Sequence, residues 1–183
     1  AMSVIVSRAI PEIDGFKPSH RKILYTMYMM GLLNGNKRKS ADIVGQTMKL
    51  NPHGDQAIYE TMVRLTRGNG ALLVPYVESK GNFGKAYSRD MSAAASRYTE
   101  AKLEKVCKEL FSEIDRDTVD FVDNYNGQMK EPVLLPVTFP SILTNANTGI
   151  AVGMASNICS FNLLEVCETA IARLRDPDAP IAE

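Results

Sequence analysis

The sequence of 183 residues contains no tryptophan, only two histidines and only three cysteines. Three cysteines cannot all pair, and none lies in a Cys-x-x-Cys spacing, so the sequence predicts neither a disulfide framework nor a zinc site. Such cysteine usage fits a reduced, cytoplasmic compartment best. No apolar run is long enough to cross a bilayer and no signal-peptide pattern is present, so we expect no membrane association.

Two kinds of binding motif are also missing. The sequence has no GxxxxGK[ST] loop, so we expect no ATP site on this chain. Four aspartates between positions 115 and 123 are spaced loosely around apolar residues, as on a solvated strand face, so we predict no metal site. If this chain transfers phosphoryl groups, the divalent cation that such reactions usually need must come from another polypeptide or domain.

The charges balance to a formal net charge of zero, but they are unevenly distributed along the chain. Residues 1–50 carry eight basic and three acidic side chains, whereas residues 101–183 carry seven and thirteen. The basic N-terminal part could face a polyanion, although a solvated basic surface would give the same pattern. The hydrophobic content of 45% predicts a globular chain with a buried core.

The first half of the sequence predicts three helices. The first runs from about residue 20 to 30, the second follows Ser40 as its N-cap, and the third runs from about residue 56 to 67. Pro52 and Gly54 predict a tight turn between the second and third helices. Two helices joined by such a turn are typical of a helix-turn-helix, whose second helix enters the major groove of DNA.

The glycine-rich segment that follows predicts the wing of a winged helix, with short strands within residues 72–77. Apolar residues at helical spacing then predict a helix over residues 103–114. Short strands and loops are expected over residues 118–158, and a last helix over about 162–175. The fold class is therefore predicted to be α+β.

Three regions follow from this pattern of elements. Residues 1–16 are expected to form an extended arm, and residues 17–125 a winged-helix domain. Residues 126–183 are expected to begin a second, α/β layer.

One pair of residues has the chemistry of a nucleophile and its activator. Arg97 and Tyr98 follow three alanines, whose small side chains would let a polymer backbone come close. A tyrosine hydroxyl is a poor nucleophile at neutral pH unless its anion is stabilised, and an adjacent arginine could do that or hold a phosphate oxygen. The alternative is that Arg97 is a surface charge and Tyr98 a half-buried ring.

Basic residues at the start of the first predicted helix suit phosphate binding. Lys17, His20, Arg21 and Lys22 cluster there, and a helix N-terminus already attracts anions. The alternative is a solvated basic helix end. His53, in the turn before the third helix, could bond to a phosphate or sugar, or it could cap backbone groups of the turn.

Motifs along nearly the whole chain resemble the breakage-reunion region of the A subunits of bacterial type IIA DNA topoisomerases. They include Pro-His-Gly-Asp, Lys-Gly-Asn-Phe-Gly, Ala-Ala-Ala-Ser-Arg-Tyr-Thr-Glu and Thr-Gly-Ile-Ala-Val-Gly-Met-Ala, in family order. Further matching stretches lie at residues 1–11, 14–22 and 119–125. The resemblance implies that residue 1 is an internal position and that the chain stops inside the next, tower domain of the family.

The resemblance also implies roles for individual residues. Tyr98 matches the tyrosine that attacks DNA and becomes joined to a 5′ phosphate, and Arg97 matches the residue that stabilises the transition state. Ile150 matches the isoleucine that wedges between base pairs and bends the DNA. The remaining matches to DNA-contacting or basic positions around the scissile phosphate are Lys17, His53, Arg8, Arg21 and Lys22.

Cofactors and partners are likewise implied by the resemblance. In the family, the B subunit of the enzyme supplies Mg²⁺ and ATP, and two copies of the A subunit form a homodimer within an A₂B₂ heterotetramer. The substrate is double-stranded DNA, and the compartment is the bacterial cytoplasm, in association with the nucleoid. Two alternatives stay open, namely a winged-helix DNA-binding protein without catalysis and a dimerisation fragment.

The sequence departs from the family pattern at three places. Asn51 stands where a histidine is usual, which weakens or alters one DNA contact. The turn at residues 12–15 is one residue shorter than usual and lacks an arginine. Gln56 replaces the small hydroxyl residue through which quinolones bind by a water-metal bridge, while the acidic partner is kept as Glu60. We therefore predict weakened quinolone action.

Overall fold

The computed structural model describes residues 8–69, 72–85 and 92–180. Over these ranges the chain forms α-helices and small antiparallel sheets, which confirms the predicted α+β class. The helices are α1 (Pro18–Met29), α2 (Ser40–Thr47), α3 (Asp55–Arg64) and α4 (Leu163–Arg175). The strands are β1 (Arg38–Lys39), β2 (Val77–Lys80), β3 (Glu100–Leu103), β4 (Phe121–Asp123), β5 (Lys130–Pro132), β6 (Asn147–Ala151) and β7 (Met154–Ile158).

The first three helices pack around one apolar core. Ile23 from α1, Ile43 from α2 and Met62 from α3 are all completely buried, as their helical spacing predicts. Pro18 begins α1, where its missing N–H costs nothing, and Gly31 adopts a φ of 74° just beyond the end of the helix. The three predicted helices are thus confirmed, with ends shifted by one to three residues.

A small antiparallel sheet lies beside these helices in the order β1-β3-β2. Its central strand β3 is bonded to the turn that follows α1, because the Leu103 N–H donates to the Leu32 carbonyl at 3.0 Å. The strands predicted within residues 72–77 are wrong except at the last position, since β2 begins at Val77. The winged-helix assignment of residues 17–125 stays a prediction.

The helix predicted over residues 103–114 is also wrong. β3 extends into its start, and Lys105–Glu109 form a 3₁₀ turn. The N–H groups of Cys107, Leu110 and Ile114 each donate to the carbonyl three residues earlier, which is the 3₁₀ pattern. These three side chains are nevertheless buried, so the apolar spacing predicted the core positions but not the backbone conformation.

The last third of the chain contains two hairpins and a helix. β4 pairs with β5 and β6 pairs with β7, both antiparallel. The Asn162 side chain accepts hydrogen bonds from the N–H groups of Leu164 and Glu165, which caps α4 as expected of asparagine. The apolar side of α4 is half-buried at Leu163, Cys167 and Ala170, whereas Ile171 and Leu174 are exposed, Leu174 to 85%.

Residues 1–7 of the predicted N-terminal arm lie outside the described residues. In the described part of the arm, Arg8 and Ala9 are helical rather than extended. In the part of the chain that is described, no helix has both the length and the apolar character needed to cross a membrane.

Candidate nucleic-acid interface

Arg97 and Tyr98 lie on an exposed turn between β2 and β3. The Tyr98 N–H donates to the Ala95 carbonyl at 2.9 Å, which closes the turn. The Tyr98 side chain is 65% exposed, so its hydroxyl is open to a large ligand. The guanidinium carbon of Arg97 lies 4.7 Å from the centre of the Tyr98 ring, which keeps a positive charge beside the phenol.

The start of α2 holds this turn on both sides of Arg97 and Tyr98. The N–H of Ser40 donates to the Thr99 carbonyl at 2.9 Å, and the N–H of Ala41 donates to the Ser96 carbonyl at 3.1 Å. The first N–H groups of a helix have no partner within the helix, so α2 has these donors free to bond to the turn. The Thr99 hydroxyl also donates to the Ser40 hydroxyl at 2.8 Å, and both side chains are buried.

Helix α3 holds both sides of the same turn through Tyr59. The Tyr59 hydroxyl donates to the Ala94 carbonyl at 2.7 Å and lies 3.0 Å from the Thr99 hydroxyl oxygen. Its ring is buried near Phe83, with ring centres 6.2 Å apart. The Ala94 N–H in turn donates to the Asn82 carbonyl at 2.8 Å. The glycine-bracketed loop at residues 81–84 therefore supports the tyrosine turn.

Three cationic or potentially cationic side chains meet where the start of α1 approaches the end of α3. Burial and the nearby Arg64 lower the pKa of Lys17. Burial, followed by the charges of Lys17, Arg64 and Arg21, lowers the pKa of His20 to about 4. His20 is therefore neutral at pH 7, when it can both donate and accept a hydrogen bond. The Lys17 ammonium donates to the Thr148 carbonyl at 2.8 Å, which joins this group to β6.

Two of the predicted DNA contacts are occupied within the protein. The Arg21 guanidinium is buried and forms a salt bridge with Asp14, with its Nε 2.7 Å from Oδ2. The same carboxylate accepts from the Leu135 N–H at 2.9 Å, so the pair connects α1 to the second half of the chain. The Lys22 ammonium donates to the Leu50 carbonyl and lies 3.5 Å from Glu131. These contacts favour a structural role for both basic residues over a phosphate contact.

The turn before α3 buries one predicted contact and exposes another. The Asn51 side chain is buried, and its oxygen accepts from the His53 N–H at 3.3 Å, as in an Asx turn. Asn51 thus shapes the turn, while the His53 imidazole is exposed. Arg8 is exposed as well.

The two predicted drug-site positions contact each other on the exposed start of α3. The Gln56 side-chain amide donates to the Glu60 carboxylate at 2.9 Å. The spacing of four residues places both side chains on one face of the helix. One carboxylate oxygen of Glu60 therefore already has a donor.

Ile150 lies at the tip of the β6–β7 hairpin. Its side chain is 89% exposed, and that of Val152 is 87% exposed, so the tip presents apolar surface to solvent. The base of the hairpin is tightly packed, since a Cβ placed on Gly149 would lie 1.8 Å from the Ala9 carbonyl oxygen. These two side chains are therefore free to contact a binding partner.

The predicted site residues thus form separate groups. Lys17 joins the hairpin that carries Ile150, and Lys22 joins the turn that carries Asn51 and His53. Over residues 8–69, 72–85 and 92–180, no hydrogen bond or ion pair connects either group to the Arg97–Tyr98 turn. Nor does any group of three potential metal ligands occur in the described ranges.

Residues that support the site were missed from the sequence. Tyr59, Thr99 and Ser40 act through buried hydroxyl groups, and such groups resemble ordinary core or cap residues in a sequence. A usable signal existed for Tyr59, because it precedes Met62 by three residues on the predicted inward face of the third helix. For Arg64, nothing in the sequence indicated that its charge would lie beside Lys17 and His20.

Comparisons with known proteins identify relatives of the whole chain. The family model for the A subunit of DNA gyrase/topoisomerase IV matches residues 8–183. The DNA gyrase A subunit of Staphylococcus aureus strain NCTC 8325 is 47% identical over 186 residues, covering all of this chain and 21% of the relative. The DNA gyrase A subunit of Staphylococcus epidermidis strain ATCC 12228 is 48% identical, with 20% of its length covered. The chain spans about a fifth of the length of these relatives.

Proposed function

Since the chain belongs to the family of DNA gyrase/topoisomerase IV A subunits, we propose that it forms the DNA-cleaving and religating part of a type IIA DNA topoisomerase. The observation that carries this proposal is the exposed Tyr98 hydroxyl on an anchored turn, with the Arg97 charge beside its ring. An exposed phenol can reach a DNA phosphate without a rearrangement of the core. In the whole enzyme this reaction permits strand passage and changes DNA supercoiling or linking.

The proposed reaction is a transesterification. The phenolic oxygen of Tyr98 forms a bond to the phosphorus of a DNA phosphodiester, and the bond from phosphorus to the 3′ oxygen breaks. The DNA is then joined to the protein through its 5′ phosphate. The phenol releases a proton to solvent and the 3′ oxygen takes one up, so no cofactor is consumed. In religation, the 3′ hydroxyl attacks the phosphorus of the phosphotyrosyl bond, which restores the phosphodiester and releases the Tyr98 hydroxyl.

The other site residues are proposed to bind and shape the DNA. Arg97 stabilises the charge that develops on the phosphoryl oxygens. Lys17, His53 and Arg8 contact phosphates near the broken bond, and the exposure of His53 and Arg8 supports this. Ile150 wedges between base pairs, a role that its 89% exposure at a hairpin tip supports.

Mg²⁺ and ATP are proposed to act through the partner B subunit. Within residues 8–69, 72–85 and 92–180, no three side chains of histidine, cysteine, aspartate or glutamate form a group that could hold a metal ion. No step on this chain is therefore assigned to a metal. We further propose that the whole protein dimerises in an A₂B₂ assembly and acts on nucleoid DNA in the bacterial cytoplasm.

The decisive experiment replaces the nucleophile. The full-length protein carrying Tyr98→Phe is assembled with its partner B subunit, then incubated with a supercoiled plasmid. We expect the covalent protein–DNA adduct to disappear while DNA affinity changes by less than about twofold, because only a hydroxyl is lost. Tyr125→Phe, which removes a hydroxyl from another exposed tyrosine, is the matched control and should leave the adduct unchanged.

Persistence of the adduct in the Tyr98→Phe enzyme would reject the proposal. Normal DNA binding without any adduct in the unmodified enzyme would instead support the alternative, a DNA-binding protein without catalysis.

A further inference from the structure

We propose that Tyr59 is a positioning residue for Tyr98, and that its buried hydroxyl sets the rate of DNA cleavage without touching the DNA. This inference rests on the proposed function. It concerns a side chain on α3 whose ring packs in the core and whose polar tip bonds to the catalytic turn.

The hydroxyl of Tyr59 contacts the chain on both sides of Tyr98. On the N-terminal side it donates to the Ala94 carbonyl at 2.7 Å, and on the C-terminal side it lies 3.0 Å from the Thr99 hydroxyl oxygen. The chain between these two contacts is only four residues long and contains both Arg97 and Tyr98. The Tyr59 hydroxyl therefore donates a hydrogen bond to one end of the segment that presents the nucleophile and lies in contact with the other end.

The segment has other support from α2, through the Ser40 N–H to the Thr99 carbonyl and the Ala41 N–H to the Ser96 carbonyl. These two bonds lie at Thr99 and Ser96, close to Tyr98, whereas Ala94 lies where the chain enters the turn. At the Ala94 carbonyl, the Tyr59 hydroxyl is the donor that the structure shows within the described residues. Loss of this hydroxyl should loosen the entry to the turn while the bonds to α2 keep the turn folded.

Loosening of this kind acts on the reaction more than on binding. A displacement of about 1 Å between reacting atoms can slow a reaction on the order of 100-fold. The DNA is held by residues elsewhere on the protein, so its affinity should change little. This separation of rate from affinity distinguishes a positioning role from a general loss of structure.

The test uses the full-length protein, assembled with its partner B subunit, on a DNA duplex carrying one cleavage site. Single-turnover cleavage is measured at saturating DNA, and DNA affinity is measured separately. We expect Tyr59→Phe to cleave about 10–100-fold more slowly with an affinity within about twofold of the unmodified enzyme. Tyr28→Phe is the matched control, because its hydroxyl faces Asp115 at 3.4 Å on another surface, and it should cleave at the normal rate.

A second pair of variants tests the same network from its other side. Thr99→Val removes the hydroxyl that lies beside Tyr59 and keeps the side-chain shape, so it should also slow cleavage. Thr99→Ser keeps the hydroxyl and should restore most of the rate. If Tyr59→Phe fails to fold, this pair still decides the question, because equal rates for Thr99→Val and Thr99→Ser would overturn the proposal.

A modified DNA separates placement of the nucleophile from protonation of the leaving group. In a duplex with sulfur in place of the bridging 3′ oxygen, the leaving thiolate needs no proton. We expect Tyr59→Phe to remain slower than the unmodified enzyme on this duplex by a similar factor. Full rescue there would overturn the positioning role, as would a normal cleavage rate on ordinary DNA or a loss of affinity equal to the loss of rate.

These outcomes are distinct from failure of the proposed function itself. If the Tyr98→Phe enzyme still formed the adduct, Tyr98 would not be the nucleophile. If the Tyr98→Phe enzyme formed no adduct while the Tyr59→Phe enzyme cleaved DNA normally, only the positioning role of Tyr59 would be rejected.

Discussion

His20 lies among cationic side chains contributed by two helices. Burial lowers its pKa most, and the charges of Lys17 and Arg21 at the start of α1 and of Arg64 on α3 add to this, so that the pKa falls from the ordinary 6.5 to about 4. The neutral imidazole is thus the form that the fold accepts. Protonation would add a fourth positive charge at this position.

The preference of the folded chain for a neutral His20 should make its stability depend on pH. Below about pH 6.5 the unfolded chain binds the proton while the folded chain does not, so the stability falls as the pH drops from 6.5 to 4. Between pH 7 and pH 5 we expect a loss of about 1–2 kcal/mol from this residue, allowing for its partial solvent contact. Urea unfolding of the chain and of His20→Gln at both pH values measures it. Equal losses in the two proteins would contradict the prediction.

Gln56 should determine the response to quinolones in the proposed enzyme. Its amide already donates to Glu60, so the carboxylate is less free to bind the water of a hydrated metal ion. Gln56→Ser should therefore lower the quinolone concentration that stabilises cleavage by about tenfold, as expected for one regained hydrogen bond to a charged group. Drug-stimulated cleavage of plasmid DNA measures this, with Gln128→Ser as control. An unchanged drug response would count against it.

The β6–β7 hairpin depends on a close approach of two backbones. Because a Cβ at Gly149 would lie 1.8 Å from the Ala9 carbonyl oxygen, Gly149→Ala must displace either the hairpin or the segment at Ala9. We expect a loss of about 2–3 kcal/mol in the free energy of unfolding, and reduced DNA cleavage by the full enzyme because Ile150 moves with the hairpin.

A second glycine provides the matched control. Gly45 lies on the exposed side of α2, and a Cβ there would meet nothing within 4 Å. Gly45→Ala should stabilise the chain by about 0.5–1 kcal/mol, since alanine loses less conformational freedom in a helix. Chemical unfolding of both variants checks the pair, and a Gly149→Ala chain as stable as the original would exclude the close packing.

At the scale of elements, the sequence predicted the helices better than the strands. Residues of α1, α2 and α3 repeat at helical spacing and sit between clear start and stop signals, so their inward faces were predicted correctly. The segment from 103 to 114 has the same spacing, but β3 pairs with two other strands and takes its start. Pairing with strands far apart in the sequence leaves no local signal, and 3₁₀ turns bury residues at nearly the same spacing as a helix.

The candidate site was predictable only where its residues have distinctive chemistry. The pair Arg97–Tyr98 was singled out from its chemistry, and Ile150 from the resemblance to the family, but neither the exposure of the pair nor the hairpin that carries Ile150 was predicted. The hydrogen bonds that hold the pair join Ser40, Tyr59 and Thr99, which are up to 59 positions apart. Contacts of that range arise only when the helices pack. The sequence also gave no sign that Arg21 is buried against Asp14.

Across the whole molecule, a net charge of zero conceals a basic N-terminal part and an acidic C-terminal part. If the basic part faces DNA, affinity should fall steeply with salt, because each neutralised phosphate releases counterions. Arg8→Ala in the full enzyme should weaken binding to all sequences alike and reduce the slope of log K against log salt by about one. Lys108→Ala, which removes an exposed charge from the acidic part, is the control. An unchanged slope for Arg8→Ala would exclude that contact.

The anchoring of the tyrosine turn also has a mechanical consequence. A broken DNA end joined to Tyr98 would pull on a turn that runs into β3 and is bonded to two helices, rather than on a free loop. Tension along the DNA would be transmitted directly into α2 and α3. The DNA end would therefore move together with α2 and α3 as one rigid unit. The width of the gap between two broken DNA ends would then equal the distance by which the α2–α3 units of two copies of the chain move apart.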